Sequence, residues 1–272
     1  MDKFSKLPEG CISQILSMTS PADACRSSAI STLFNAAADS DSMWESFLPS
    51  DYRQIVSRSV SPVVFSTKKQ LYFSLCESPL LLDGGKLGFA LDRESGKKCY
   101  ILPARELDIA WKGDTRYWVW ISLPESRFSE VAQLLNVWWL DIWGTIDTAM
   151  LSANTTYAAY LIFKITDQRH SGFESLPVKA SVRFLKEGEE CEDDKSSTVS
   201  LTMQPLRSQR RGERENGRFP QIRRDGWMEI ELGKFHNDEG DDGEVEMRLR
   251  EFRQLKGGLI VEGIEVRPKV GG

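Results

Sequence analysis

The sequence predicts an α+β multidomain chain, a small helical module followed by an all-β jelly-roll sandwich. Three observations carry this. Residues 4–49 hold short apolar stripes at helical spacing. From Lys86 onward, many short apolar runs are separated by Gly, Pro and Asp. Six of the eight tryptophans fall between Leu107 and Trp143.

In the first segment Leu7-Pro8-Glu9-Gly10 opens a helix, since proline suits the start of one. Ile12, Ile15 and Leu16 repeat at i, i+3, i+4 as one apolar stripe. Ser20-Pro21-Ala22-Asp23 reads as an N-cap, a proline at the first helical position and an acid in the first turn. Ala29, Ile30, Leu33 and Phe34 make another stripe, and Trp44, Phe47 and Leu48 a last one. Fewer than 50 residues build a poor core alone, so a docked partner is expected to cover part of this apolar surface. Residues 51–85 read as a packed connector, with a helix over Thr67–Cys76 and a turn at Asp83-Gly84-Gly85.

The expected strands are Leu87–Leu91, Cys99–Leu102, Leu107–Ala110, Tyr117–Leu123, Val137–Ile146, Tyr157–Thr166, Val178–Leu185, Thr198–Gln204, Gly226–Leu232, Glu244–Arg250 and Leu259–Arg267. Ser129–Leu135 reads as a short helix. The run Tyr157–Ile165 is apolar on both faces, so it belongs inside a sheet covered on both sides. Glu187–Lys195 is an acidic loop and Arg207–Arg218 a basic one. The basic loop is a nuclear-entry or anion-binding patch on one reading and a solvated loop on the other.

Composition narrows the function classes. A net charge of −5 gives no global reason to expect nucleic acid. Five irregularly spaced cysteines without a C-x-x-C argue against a disulfide framework or a metal knuckle, and for a reducing compartment. His170 and His236 have no ligand-spaced neighbours. No metal or cofactor is expected. The N-terminus lacks an apolar signal core and no run approaches a membrane span, so the expectation is cytoplasm, nucleus or both, with no membrane partner.

Trp111 and Trp118 flank Lys112-Gly113-Asp114-Thr115-Arg116, whose Gly-Asp is a turn signal. Aromatics at a loop mouth either stack on a ligand or plug the end of a sandwich.

Two resemblances sharpen these expectations. LP-x3-I-x2-IL, PADACR and LFNAAADSDSMWESFLP resemble the F-box, a helical module that docks on the Skp adaptor of SCF-type ubiquitin ligases. The resemblance implies adaptor contacts from Leu7, Pro8, Ile12, Ile15, Leu16 and Phe34, and through the adaptor a cullin. Downstream, AREL-DIAW, YWVW, VWWLDIWGTIDTAML, NTTYAAYLIFKIT, GRFPQIRRDGWMEIELGKF, DGEVEMRLREF and GLIVEGIEVRPK resemble the phloem-protein-two (Nictaba-like) lectins. That family has a jelly-roll fold and binds N-acetylglucosamine oligomers and N-glycan cores. The domain division implied is 1–50 F-box, 51–85 connector and 86–272 lectin sandwich.

Carried over by position, the family's sugar-binding groups are Trp111, Trp118, Glu244 and Glu251. An indole takes the C–H face of a sugar and a carboxylate accepts from its hydroxyls. In a regular strand Glu244 shares a face with Glu246 and Arg248, while Glu251 shares that of Val245, Met247 and Leu249. Both meet one sugar only if the strand ends or bulges before Glu251, which makes Glu244 the better candidate. The function expected is a non-catalytic, glycoprotein-recognising subunit of an SCF ligase. The alternatives are a receptor for a protein epitope and a glycosidase, which needs a carboxyl pair across a cleft.

Overall fold

A computed structural model describes residues 7–166, 171–173, 177–185, 196–202, 218–240 and 242–269. Most of the two charged loops lies outside the described residues. The chain divides into two compact units, Met1–Tyr100 and Ile101–Gly272.

The first unit is helical: α1 Glu9–Ser17, α2 Pro21–Ser27, α3 Thr32–Ala38, α4 Asp41–Phe47, α5 Tyr52–Ser57 and α6 Lys68–Glu77. Local chemistry starts several of them. Ser20 accepts a hydrogen bond from the Asp23 N–H at 3.1 Å, with Pro21 at the first helical position, as the sequence indicated. Ser31 and Thr67 cap α3 and α6 in the same way. The stripe expected over Ala29–Phe34 is instead split. α2 ends at Ser27 and α3 begins at Thr32, so Ile30 sits in the link and is exposed. The Ser31 cap outweighs the short periodicity. The core is aromatic. Trp44 is fully buried, packs on Phe47, Tyr72 and Phe73, and donates its indole N–H to the Ala38 carbonyl at 2.7 Å. Residues 51–85 thus share the core of the F-box-like helices and end in a hairpin, β1 Leu80–Leu82 with β2 Leu87–Leu91. The strand β3, Lys98–Pro103, carries the chain onward.

The second unit contains β4 Asp108–Ile109, β5 Trp118–Ile121, β6 Val131–Leu134, β7 Leu140–Asp147, β8 Thr155–Ile165, β9 Val178–Phe184, β10 Ser197–Val199, β11 Gln221–Ile222, β12 Met228–Asn237, β13 Glu244–Glu251 and β14 Leu259–Pro268. One sheet runs β14-β8-β12-β11, with the β5–β6 ladder joined to the first part of β14. The other runs β10-β9-β13-β7-β4. From β7 the long strands β7, β8, β9, β12, β13 and β14 alternate between the sheets, which is jelly-roll connectivity. The expected helix over Ser129–Leu135 is β6, a strand. Seven uncapped residues cannot nucleate a helix alone, and Val131, Ala132 and Leu134 gain more by burial against neighbouring strands.

β8 is the middle of this unit, paired to β12 and β14. Tyr157, Ala159, Leu161 and Phe163 line its inner face and are wholly buried. From the facing sheet β13 supplies Val245, Met247 and Leu249, also wholly buried. Its outer face, Ala158, Tyr160 and Ile162, is covered by a satellite cluster of Val131, Trp227 and Ile260. The Trp227 indole N–H holds this cover by donating to the Glu125 carbonyl at 3.2 Å.

β14 shifts register between Val261 and Gly263, and the bulge carries Glu262. A side chain at Gly263 would meet the Leu102 carbonyl oxygen at 2.2 Å, so the bulge needs glycine. Glu262 is wholly buried. One carboxylate oxygen accepts from the Arg127 N–H at 3.0 Å and the Ser126 hydroxyl at 3.2 Å, while the other has no partner among the described residues. Burial raises its pKa above the usual carboxylate range, and the Arg127 N–H offsets only part of this. A folded-state pKa above the unfolded one gives stability that is complete below the ordinary glutamate value and lost as pH rises through the folded value. Glu262→Gln keeps the acceptor and removes the charge. The expected outcome is a variant at least as stable as the parent at neutral pH, with the melting-temperature difference shrinking or reversing on acidification below the usual glutamate range. A constant difference across pH refutes the assignment.

Candidate functional site

Trp111 leaves the end of β4 with φ +67°, a left-handed backbone that bulky residues rarely adopt. Such strain persists where the surroundings enforce it, and functional loops are where it collects. Here Asp114 N–H donates to the Trp111 carbonyl at 2.9 Å, and Lys112 N–H to that of Ile109 at 3.1 Å. The Arg116 guanidinium and N–H beside Asp114 hold its carboxyl below the usual range. This frame presents the Trp111 indole to solvent, 57% exposed, with its ring 5.9 Å from that of Tyr117.

Beside this loop lies a cleft of about 530 Å³, lined by Arg105, Lys112, Gly113, Thr115, Trp118 and Trp120 among others. Trp118 gives it a wall but no free face. It is 1% exposed and donates its indole N–H to the Ala110 carbonyl at 3.1 Å. The expected second stacking residue is therefore a packing residue that plugs this end of the sandwich. A half-buried aromatic, Trp120, also lines the cleft, with the Arg105 guanidinium 3.7 Å over its ring. Arg105 is held in turn by Glu130 at 2.6 Å.

The two glutamates do not converge. β13 runs unbroken from Glu244, opposite Asp147, to Glu251, opposite Leu140. Seven residues of strand separate them by roughly 23 Å. Ala110 is bonded to Asp141, so Trp111 lies at the Glu251 end and Glu244 at the far end. This reverses the preference for Glu244. Glu251 follows the inward face of β13, as alternation required, and is itself buried. It is engaged twice, accepting from the Arg253 N–H at 2.6 Å and pairing with Lys256 Nζ at 2.6 Å. Lys256 is wholly buried and also donates to the Trp138 carbonyl at 2.7 Å. Burial lowers its pKa, and Glu251 partly opposes that. A buried ion pair of this kind fixes geometry more than it adds stability. Glu251 thus ties the end of β13 to the segment that carries Arg253 and Lys256.

A second groove, about 590 Å³, lies along β8 and β12 and includes Tyr160, Glu229, Glu231, Arg267 and Lys269. Its groups are spent on one another. Arg267 lies 3.8 Å over the Tyr160 ring and bonds Glu229 at 2.6 Å, and Lys269 bonds Glu231 at 2.6 Å. Burial is the largest single influence and would raise the Glu229 pKa, but the hydrogen bonds and charges of Arg267 and Arg223 together outweigh it and hold the carboxylate ionised. With ring and carboxylates occupied, this groove offers a sugar less than the Trp111 end does.

In the helical unit α1 has two apolar faces. Ile12 and Leu16 are buried core residues, which corrects their expected role in adaptor contact: they pack α1 inward. Pro8, Ile15 and Met18 lie at helical spacing on the exposed face, Leu7 and Phe34 are half-buried, and Ile30 is exposed.

Comparison with known proteins names both units. Residues 97–268 match the family described as Phloem protein 2, and residues 4–46 match the F-box domain. This chain belongs to the F-box proteins that carry a phloem protein 2 domain. In Arabidopsis thaliana, "Putative F-box protein PP2-B12" is 46% identical over 98% of both chains. "F-box protein PP2-B15" is 45% identical over 97% of this chain and 96% of its own, and "F-box protein VBF" 43% over 97% and 99%. F-box proteins are generally substrate-recognition subunits rather than enzymes. Sequence reasoning missed Arg105 and Trp120 as cleft residues of the phloem protein 2 domain. It also missed the exposed pair Trp138-Trp139, because both were assigned to a strand that begins only at Leu140. Two consecutive large aromatics are a signal in themselves, since a strand sends neighbours to opposite faces.

The two tryptophans are expected to separate cleanly on mutation. Trp118→Ala removes a buried indole and should cost about 3–5 kcal/mol. Trp111→Gly relieves the left-handed strain and should leave stability equal or up to about 1 kcal/mol higher. Denaturant midpoints of the two variants measure both.

Proposed function

We propose that this chain is the substrate-recognition subunit of an SCF-type ubiquitin ligase. Its helical unit docks on a Skp-type adaptor, and through it a cullin, and its phloem protein 2 domain holds a glycan on the target. The observation that carries the glycan part is Trp111, a strained and exposed indole next to a cleft lined by Trp118 and Trp120 with Arg105, Lys112 and Thr115. Strain and exposure both cost free energy, and a packing role would need neither. Sugar hydroxyls exchange equal hydrogen bonds with water, so binding needs such an apolar face. A few stacking and hydrogen-bonding terms, less the cost of association, point to Kd values between about 1 μM and 1 mM. The chain contributes by raising the target's effective concentration near the ubiquitin-charged enzyme, with no bond-making step of its own.

A second reading, an F-box receptor for a protein epitope, is favoured by Trp118 and Glu251. Two of the family's four sugar-binding positions are occupied internally here. Titration of the full-length protein with N-acetylglucosamine oligomers, backed by a glycan array, decides between them. The first reading expects binding that Trp111→Ala weakens by about tenfold without changing the melting temperature. An array without a single hit supports the epitope. Reducing-sugar release from a chitin oligomer, abolished by one carboxylate substitution, would overturn both.

For the adaptor, the surface expected is Pro8, Ile15 and Met18 rather than Ile12 and Leu16. Ile15→Glu with Met18→Glu should leave the fold intact and abolish co-purification with a Skp-type adaptor. A central interface anchor is worth about 2 kcal/mol or more. Retained co-purification places the adaptor elsewhere.

A further inference from the structure

The structure exposes three more large aromatics at the Trp111 end: Trp138 at 62%, Trp139 at 53% and Phe252 at 39%. They are organised. Trp139 and Phe252 stack with centroids 4.1 Å apart and planes 26° from parallel. Beneath them Lys256, wholly buried, ties the Trp138 carbonyl at 2.7 Å to the Glu251 carbonyl at 3.2 Å. The backbones of Val137 and Lys256 exchange hydrogen bonds in both directions, at 2.8 and 2.9 Å. A side chain at Gly257 would strike the Leu135 carbonyl oxygen at 2.1 Å, so the two loops are in close contact. Burying an ammonium is costly, and what this one secures is the backbone that carries the exposed rings.

The ledge lies at the same end of the sheet as Trp111. Ala110 is bonded to Asp141, so Trp111 and Trp139 leave neighbouring strands, β4 and β7, at the same end. Neighbouring strands lie about 5 Å apart. Asn136 and Arg253, close to the rings in sequence, are also exposed. Flat aromatic faces together with an amide and a guanidinium suit a neutral, hydroxyl-rimmed ring with a C–H face.

We propose that the stacked pair Trp139 and Phe252 forms a second stacking subsite, which extends the Trp111 site so that the domain grips an oligosaccharide across several rings. This rests on the glycan reading above. A ledge beside a cleft selects for chain length. The first residues of the oligosaccharide gain from Trp111, and only a longer chain reaches Trp139.

The test is a titration of full-length protein with N-acetylglucosamine oligomers from disaccharide to hexasaccharide. Parent affinity is expected to rise with length. Trp139→Ala should leave disaccharide affinity unchanged and lower hexasaccharide affinity about tenfold, flattening the length dependence. Trp139→Phe should retain most of it. Phe252→Asn gives the same readout through the stacked partner, should Trp139→Ala fold poorly. A parent affinity without length dependence, or equal losses for short and long oligomers in the variants, overturns the subsite and leaves the Trp111 site standing. A parent that binds no oligomer overturns the glycan reading and the subsite together.

Discussion

The phloem protein 2 domain depends on hiding both faces of one strand. β8 carries apolar side chains in every direction from Tyr157 to Phe163, so it cannot sit at a surface. Fully burying one Leu, Ile or Phe is worth about 1.5–3 kcal/mol, and Leu161, Ile162 and Phe163 are consecutive. Its inner face calls up the second sheet. Its outer face calls up the Trp227 cluster and the β5–β6 ladder. Covering that outer face fixes where β5 starts, and β5 begins at Trp118, directly after the loop that presents Trp111. The candidate site is thus placed by the core.

The same end of the domain shows how polar groups are used inside. Lys256 and Glu251 cost desolvation and return geometry: one ammonium gathers two carbonyls and a carboxylate. Glu262 does the opposite at the β14 bulge. Among the described residues it has hydrogen-bond donors but no ion-pair partner, and burial disfavours its charge and raises its pKa. The outer groove along β8 and β12 is a third case, where Arg267 and Lys269 neutralise Glu229 and Glu231 and keep them ionised. Whether a carboxylate is free for a ligand is decided by which of these settings it occupies.

Much of the fold was legible because it rests on local chemistry and periodicity. Ser20-Pro21 starts α2 wherever it is placed, and the two-faced pattern of β8 admits few homes. The misses share a cause. Ser129–Leu135 and Ala29–Phe34 were too short for periodicity to decide, and a partner strand or a cap decided instead. In α1, Ile12, Ile15 and Leu16 formed one stripe on paper, but a helix resting on its neighbours buries Ile12 and Leu16 and leaves Ile15 outside.

By itself the sequence determined the family, the order of helical and β modules, and the inward phase of Glu251. Each of these follows from residue type and spacing along the chain. Only the tertiary structure decided which aromatics face solvent and which charges are spent. Trp111 and Trp118 are equivalent letters seven residues apart, yet one is an exposed, strained indole and the other a plug bonded to Ala110. Glu244 and Glu251 lie on one strand, yet its unbroken length puts them at opposite ends of the sheet. The bonds themselves are short in sequence, Trp118 to Ala110 and Glu251 to Arg253 and Lys256, but whether those groups are buried depends on how the two sheets close over them, and no local pattern encodes that.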